Sequence, residues 1–215
     1  MNNSSDDFES LVDSVSMDFL EDSPFKEWNE KLKDELKASR YKHSLGVLKT
    51  ALVLAERYGE DKKECAFAAL LHDCAKHNEG KILNYLKERG EDISKYRPSV
   101  NLHAELGAIW AKIHYGLEDP RCLRAIESHT LGSNKMTKLD KIIYVADMIE
   151  PGRDFGGLED LRKSVLKDLD RGLLDCFNHS LLYLLKEGKY IEPRSLEARN
   201  ALLLEIGHKG KNDKD

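Results

Sequence analysis

The pair His72-Asp73 follows directly on the most apolar run of the chain, Cys65-Ala-Phe-Ala-Ala-Leu-Leu71. Adjacent side chains on a helix point about 100° apart, so both reach one centre only if it lies off the helix end, which favours a ligand pair. His43, His103, His129 and Asp147 each fall inside or at the end of a stretch with helical spacing, and Asp147 stands among Ile143, Val145, Ala146 and Ile149. A buried carboxylate without a cation or a donor is costly. Gathered on one centre, neutral imidazoles and carboxylates form a mixed nitrogen and oxygen donor set that suits Fe, Mn, Co, Ni or Zn, whereas an all-oxygen set would suit Mg or Ca. Taken singly, each residue has a blander reading. A helical His is more often a satisfied core or surface side chain, and an Asp on a mostly apolar helix usually lies on its solvated face. The order His43, His72-Asp73, His103, His129, Asp147 is what sets them apart.

The elements that must position these residues read as helices. Ser23-Pro24 is a good N-cap and first-turn pair. After it Phe25, Trp28, Leu32 and Leu36 recur at helical spacing, and the pattern resumes through Leu45, Leu48, Leu52 and Ala55 to a Gly59 stop, giving two helices or one with a bend. Asp61 to His77 is apolar nearly all round, as in a helix buried on several sides. Gly80 and Gly90 bracket a short helix, and a linker containing Pro98 leads to a helix from about Leu102 to His114, stopped by Gly116. Asp119-Pro120 opens another, ending near Thr130-Leu-Gly132. Thr137 and Asp140 resemble a capping box before Ile142, Ile143, Ala146 and Ile149, and Glu150-Pro151-Gly152 ends that helix. One long amphipathic helix is predicted from about Leu158 to Lys186, and a last one from Ser195 to Ile206, closed by Gly207. No stretch sustains period-two alternation, and there is no internal repeat or Gly-rich phosphate loop. The expected fold class is all-α.

Composition narrows the setting. The chain has 215 residues, 40% hydrophobic and 34% charged, with a net charge of -5, enough for one compact domain and an appendage. The acidity is local: residues 1–22 carry seven acids and no Lys or Arg, so the remainder, with 34 cations and 32 acids, is slightly positive at +2. Residues 1–22 are expected to be disordered or loosely docked. The longest apolar run is far below the roughly 18 residues of a membrane span, and the N-terminus lacks a signal-peptide layout. Cys65, Cys74, Cys122 and Cys176 show no C-x-x-C pairing, which fits reduced core residues and a cytoplasmic location. A weak positive charge and 7% aromatic residues offer neither a basic stripe nor a stacking platform, so no nucleic-acid partner is expected. The Leu158–Lys186 stripe could face a second copy, as in a homodimer.

The ordered His and Asp residues resemble those of the HD superfamily of metal-dependent phosphohydrolases. Local signatures narrow the match: Arg40-Tyr-Lys-His43, Leu71-His-Asp-Cys-Ala-Lys76, His103-Ala-Glu-Leu-Gly-Ala108, His129-Thr-Leu-Gly132, Tyr144-Val-Ala-Asp-Met-Ile-Glu-Pro-Gly-Arg153 and the later Tyr190-Ile-Glu-Pro-Arg-Ser-Leu-Glu-Ala-Arg199. Together they are similar to the YqeK family of symmetrical diadenosine tetraphosphate hydrolases, over roughly residues 24–207. The resemblance implies an HD helical bundle with a central metal site over residues 23–207, between the acidic tail and a polar tail at 208–215. It implies that His43, His72, Asp73 and Asp147 hold a divalent metal, iron by preference. One ion is favoured because these four already leave positions for water and phosphate. A second ion bridged by Asp73 and held by His103 and His129 is the alternative.

The implied reaction is in-line attack of a metal-activated water on a bridging phosphoryl group, releasing ADP, with Asp73 a ligand and a possible proton acceptor. A tetraphosphate carries about four negative charges, more than one dication neutralises, so Lys and Arg must assist. Arg40 lies three residues before His43, Lys76 three after Asp73, and Arg153 just past the helix of Asp147. These cations, with His103, His129 and a Thr130 hydroxyl, are the expected phosphate contacts. The Tyr190 to Ser195 loop (Tyr190, Ile191, Pro193, Arg194, Ser195) would offer a ring and a cation to adenosine; an ordinary interhelical turn explains its spacing equally well. The rival readings are an HD phosphohydrolase for mono-, tri- or cyclic nucleotides and a nucleotide-binding module without turnover.

Overall fold

The computed structural model describes residues 7–96, 99 and 101–212, and the regular structure among them is helical. In chain order the helices are α1 (Phe8–Asp13), α2 (Phe25–Glu35), α3 (Ala38–Tyr58), α4 (Lys62–Leu71), α5 (Glu79–Glu88), α6 (Leu102–Tyr115), α7 (Pro120–Ser128), α8 (Lys138–Ile149), α9 (Leu158–Lys167), α10 (Leu169–Lys186) and α11 (Pro193–Asn212). The Pro98 part of the expected linker lies outside the described residues.

Caps place the helices. Asp61 accepts the Glu64 amide at 2.8 Å and opens α4, Asp119 accepts from Arg121 at 2.7 Å and opens α7, and the Thr137/Asp140 capping box opens α8. Gly116 ends α6 in the left-handed region, at φ 71°, where a residue without Cβ sits free of strain. The core is built around α8, whose Leu139, Ile142, Ile143, Val145, Ala146 and Ile149 are fully buried against α3, α4, α7 and α10. Each such Leu or Ile contributes about 1.5–3 kcal/mol relative to exposure. That burial fixes the rotation of α8 and leaves Asp147 and Met148 as the partly exposed pair of its last turn.

Four boundaries differ from expectation. The segment after Asp61 stops being helical at Leu71, so Asp73 sits in the turns that follow. The long helix is broken at Asp168, which is extended (φ -156°, ψ 123°) and caps α10 by accepting the Arg171 amide at 2.7 Å. The apolar stripe resumes directly at Leu169, so periodicity hides the break. The fold back brings Gly172 against Val165, where a Cβ would overlap the Val165 backbone. Finally, α11 begins at Pro193, a favoured first helical position, and runs on past Gly207. Pro193, Arg194 and Ser195 therefore form a first helical turn, not a loop.

Within the acidic N-terminal segment, α1 packs on α3 with Phe8 and Val12 buried, and Leu20 is buried in a 3-10 turn at Asp18–Glu21. All four cysteines are buried and unpaired, and burial pushes the Cys176 thiol up to about 12.

Candidate metal centre

Two helices end on histidines in the same way. His72 is the C-cap of α4 and its Nδ1 lies 2.7 Å from the Ala69 carbonyl; His129 is the C-cap of α7 and its Nδ1 lies 2.7 Å from the Ile126 carbonyl. A ring nitrogen donating to a carbonyl must carry the hydrogen, so in the neutral ring each Nε2 keeps its lone pair for whatever lies off the helix end. His43, on α3, is held likewise: its Nδ1 lies 3.0 Å from Glu150 Oε1 at the end of α8. Room for that carboxylate comes from Gly46 and Gly152, since a Cβ at either would press on the Glu150 oxygens, and the Gly152 amide donates to Oε2 at 2.5 Å.

The three oriented rings converge on two carboxylates. His43 and His72 meet Nε2 to Nε2 at 3.3 Å, and Asp147 Oδ1 lies 2.9 Å from His43 Nε2 and 4.0 Å from His72 Nε2. Asp73 is 2% exposed and faces two ways. Its Oδ2 lies 3.5 Å from His72 Nε2 and 3.9 Å from His43 Nε2 and accepts from Arg40 Nη1 at 2.9 Å; its Oδ1 lies 3.5 Å from His103 Nε2 and 3.6 Å from His129 Nε2. Two metal-competent groups result, His43/His72/Asp73 and Asp73/His103/His129, each with donor atoms within 4.8 Å of one another.

These donors fit a divalent transition metal. Two imidazole lone pairs facing each other at 3.3 Å beside two carboxylates repel unless a cation or a proton lies among them. Asp73 Oδ1 is buried and has no hydrogen-bond partner, the kind of atom a ligand must satisfy.

Electrostatics follow from the packing. Burial works to raise the Asp73 carboxyl, but the His72 charge and the His129 contact outweigh it and hold it well below the carboxylate range. For Asp147, burial is likewise outweighed, by His43 and Arg153. Burial opposes charge on His43 and His129, yet Asp147 with Glu150 raises the first and Asp73 raises the second. His103 goes the other way, down to about 3, through burial and the neighbouring His129 and Lys76 charges.

The expected phosphate contacts surround this cluster. Lys76 Nζ lies 3.1 Å from His103 Nδ1, Thr130 Oγ1 lies 3.2 Å from His103 Nε2 and 3.1 Å from His129 Nε2, and Arg153 holds both the Asp147 carboxylate and, at 2.8 Å, its carbonyl. With Arg40, they put three cations and a hydroxyl around the His and Asp side chains. The Tyr190 to Ser195 segment is placed differently. Tyr190 is 75% exposed, while Arg194 donates to the Gly132 carbonyl at 2.9 Å and so joins the turn after His129 and Thr130. Glu150 was missed by the sequence reading, which takes it only as a helix end; the small residues at Gly46 and Gly152 are its one visible signal.

Comparison with known proteins gives the family of the chain. The HD domain family profile matches residues 40–152. The chain is 39% identical to "Bis(5'-nucleosyl)-tetraphosphatase, symmetrical" of Halalkalibacterium halodurans, over 81% of this chain and 94% of that protein. It is 35% identical to the protein of the same description from Bacillus subtilis, over 80% and 94%. A crystal structure described as a predicted HD superfamily hydrolase involved in NAD metabolism, from Clostridium acetobutylicum, superposes with a TM-score of 0.77 at 40% identity, covering 84% of this chain and 97% of that one.

Proposed function

The chain belongs to the HD domain family, in its symmetrical bis(5'-nucleosyl)-tetraphosphatase branch, and on that premise we infer that it hydrolyses diadenosine tetraphosphate to two ADP with a divalent metal. The observation that carries the reading is the convergence of His43, His72, Asp73 and Asp147 through Nε2 and carboxylate atoms, ringed by Arg40, Lys76 and Arg153.

His43, His72, Asp73 and Asp147 would hold the ion, which when bound activates water and polarises a phosphoryl oxygen. The protein's own groups do the rest. Arg40 and Arg153, now on Asp73 and Asp147, turn part of their donor forks to the polyphosphate. Lys76 and Thr130 donate to its oxygens beside His103, which the depressed pKa keeps neutral. His129, tied to Ile126 through Nδ1, donates from Nε2 to the same oxygens when protonated, the state that Asp73 favours. Asp73 Oδ1, buried and without a hydrogen-bond partner, accepts a hydrogen bond from the attacking water and orients it. Fixed donors of this kind stabilise charge on equatorial and leaving oxygens without reorganising.

One ion is the reading kept, with His103 and His129 facing phosphate. Iron is the ion the resemblance favours; Mn, Co, Ni and Zn suit the same donors. Tyr190, Ile191, Pro193, Arg194 and Ser195 form the adenosine side, supported by the tie from Arg194 to Gly132. Residues 23–207 act as the hydrolase domain. We propose a cytoplasmic location, supported by the four buried, unpaired cysteines, and no nucleic-acid partner, supported by the weak net charge and the low aromatic content. We propose a homodimer through the Leu158–Lys186 stretch, where Leu182 and Leu185 of α10 are exposed. A substrate panel tests the choice of nucleotide: diadenosine tetraphosphate is turned over fastest, and a preference for mono-, tri- or cyclic nucleotides would overturn it.

A further inference from the structure

Outside the ligand set, the most heavily engaged buried cation of the described residues is Arg162 on α9, whose side chain is 4% exposed. Its Nε donates to the Ile149 carbonyl at 3.1 Å and its Nη2 to the Glu150 carbonyl at 3.2 Å. These carbonyls close α8, where no intrahelical donor remains and a cation is favoured. The same stretch carries Asp147, and Glu150 holds His43. The position of those two carbonyls therefore sets the reach of both carboxylates toward His43.

The other side of the guanidinium is closed by α1. Arg162 Nη1 reaches Glu159 at 2.6 Å and Glu9 at 3.4 Å, and its carbon stands 4.6 Å over the Phe8 ring. Phe8 is 4% exposed and Val12 1% exposed, and α1 packs on α3, the helix of Arg40 and His43. The N-terminal helix thus touches one ligand-bearing helix directly and grips the end of the other through a buried cation. Without the Phe8 ring the guanidinium opens to water, which competes for its donors.

We propose that Arg162 is a positioning residue for the metal centre and that the N-terminal helix α1 sets it by closing over its guanidinium. The acidic segment is then a working part of the site. The proposal rests on the metal reading above, and its test separates the two. Co²⁺ affinity by chelator competition, the melting temperature of the metal-free protein and amide hydrogen exchange across residues 147–153 are measured on the full chain, on Phe8→Ala, and on Leu202→Ala as an equally buried control in α11. Phe8→Ala is expected to bind Co²⁺ about 10- to 100-fold more weakly, the range for losing support behind a ligand, and to exchange faster at 147–153. Leu202→Ala is expected to lose melting temperature with both other readings unchanged. Phe8→Ala with wild-type affinity and wild-type exchange would overturn the proposal. If the unmutated protein takes up no Co²⁺, the metal reading fails instead, and the exchange comparison alone decides the coupling between α1 and α8.

Discussion

His43 and His72 meet nitrogen to nitrogen at 3.3 Å, each with its Nδ1 already engaged, on Glu150 and on the Ala69 carbonyl. Two rings so oriented cannot donate to each other through Nε2 while both are neutral. The contact makes sense as a place for a cation, with Asp73 and Asp147 supplying the opposing charge.

Asp73→Ala is expected to abolish both metal content and turnover while leaving helix content near normal, because Asp73 lies in the turns after α4 and supports no helix of its own. Elemental analysis, activity and circular dichroism on one sample check this. Retained activity would remove the metal-hydrolase reading.

Metal uptake is expected to release protons. Asp147 and Glu150 raise the pKa of the ligand His43, so in the metal-free site its Nε2 keeps a proton to higher pH than a free imidazole does, and a metal must displace that proton. Raised imidazole pKa values mean protonation persists to higher pH, so apparent affinity falls as pH drops through the imidazole range. Calorimetry in buffers of different ionisation enthalpy reads the released protons, and uptake without release would contradict this protonation pattern.

His129→Asn is expected to keep one ion per chain and lose at least about 100-fold in kcat, the scale seen when a fixed donor to a developing oxyanion is removed. Two ions per chain in the unmutated protein, with one lost in the variant, would instead show that Asp73/His103/His129 is a second metal site.

Gly46→Ala drives a methyl group into the Glu150 carboxylate. The expected result is a 10- to 100-fold loss of metal affinity, typical of disturbing an imidazole's carboxylate partner, with overpacking of about 1–3 kcal/mol in stability. Unchanged affinity would mean that Glu150 does not orient His43.

Much of this was readable from the sequence where structure depends on nearby residues. The Asp61 and Asp119 caps, the Thr137/Asp140 box and the Gly116 stop act within a few residues, and each lies where its chemistry predicts. The break at Asp168 was not readable, because the buried residues Val165 and Leu169 keep helical spacing across it. Glu150 and Arg162 were not readable as parts of the site for another reason. A charged residue at a helix end, as Glu150, or inside a surface helix, as Arg162, looks solvated until its partners are known, and those lie 107 positions away for Glu150 with His43 and 153 away for Arg162 with Glu9. The proposed ligand set came from the family resemblance, since spacing alone left each residue with an ordinary alternative.

The most direct test of the central claim is product analysis by chromatography on diadenosine tetraphosphate, with metal content measured on the same sample. The account predicts ADP alone, formed in proportion to bound metal. ATP with AMP, or turnover independent of metal, would contradict it.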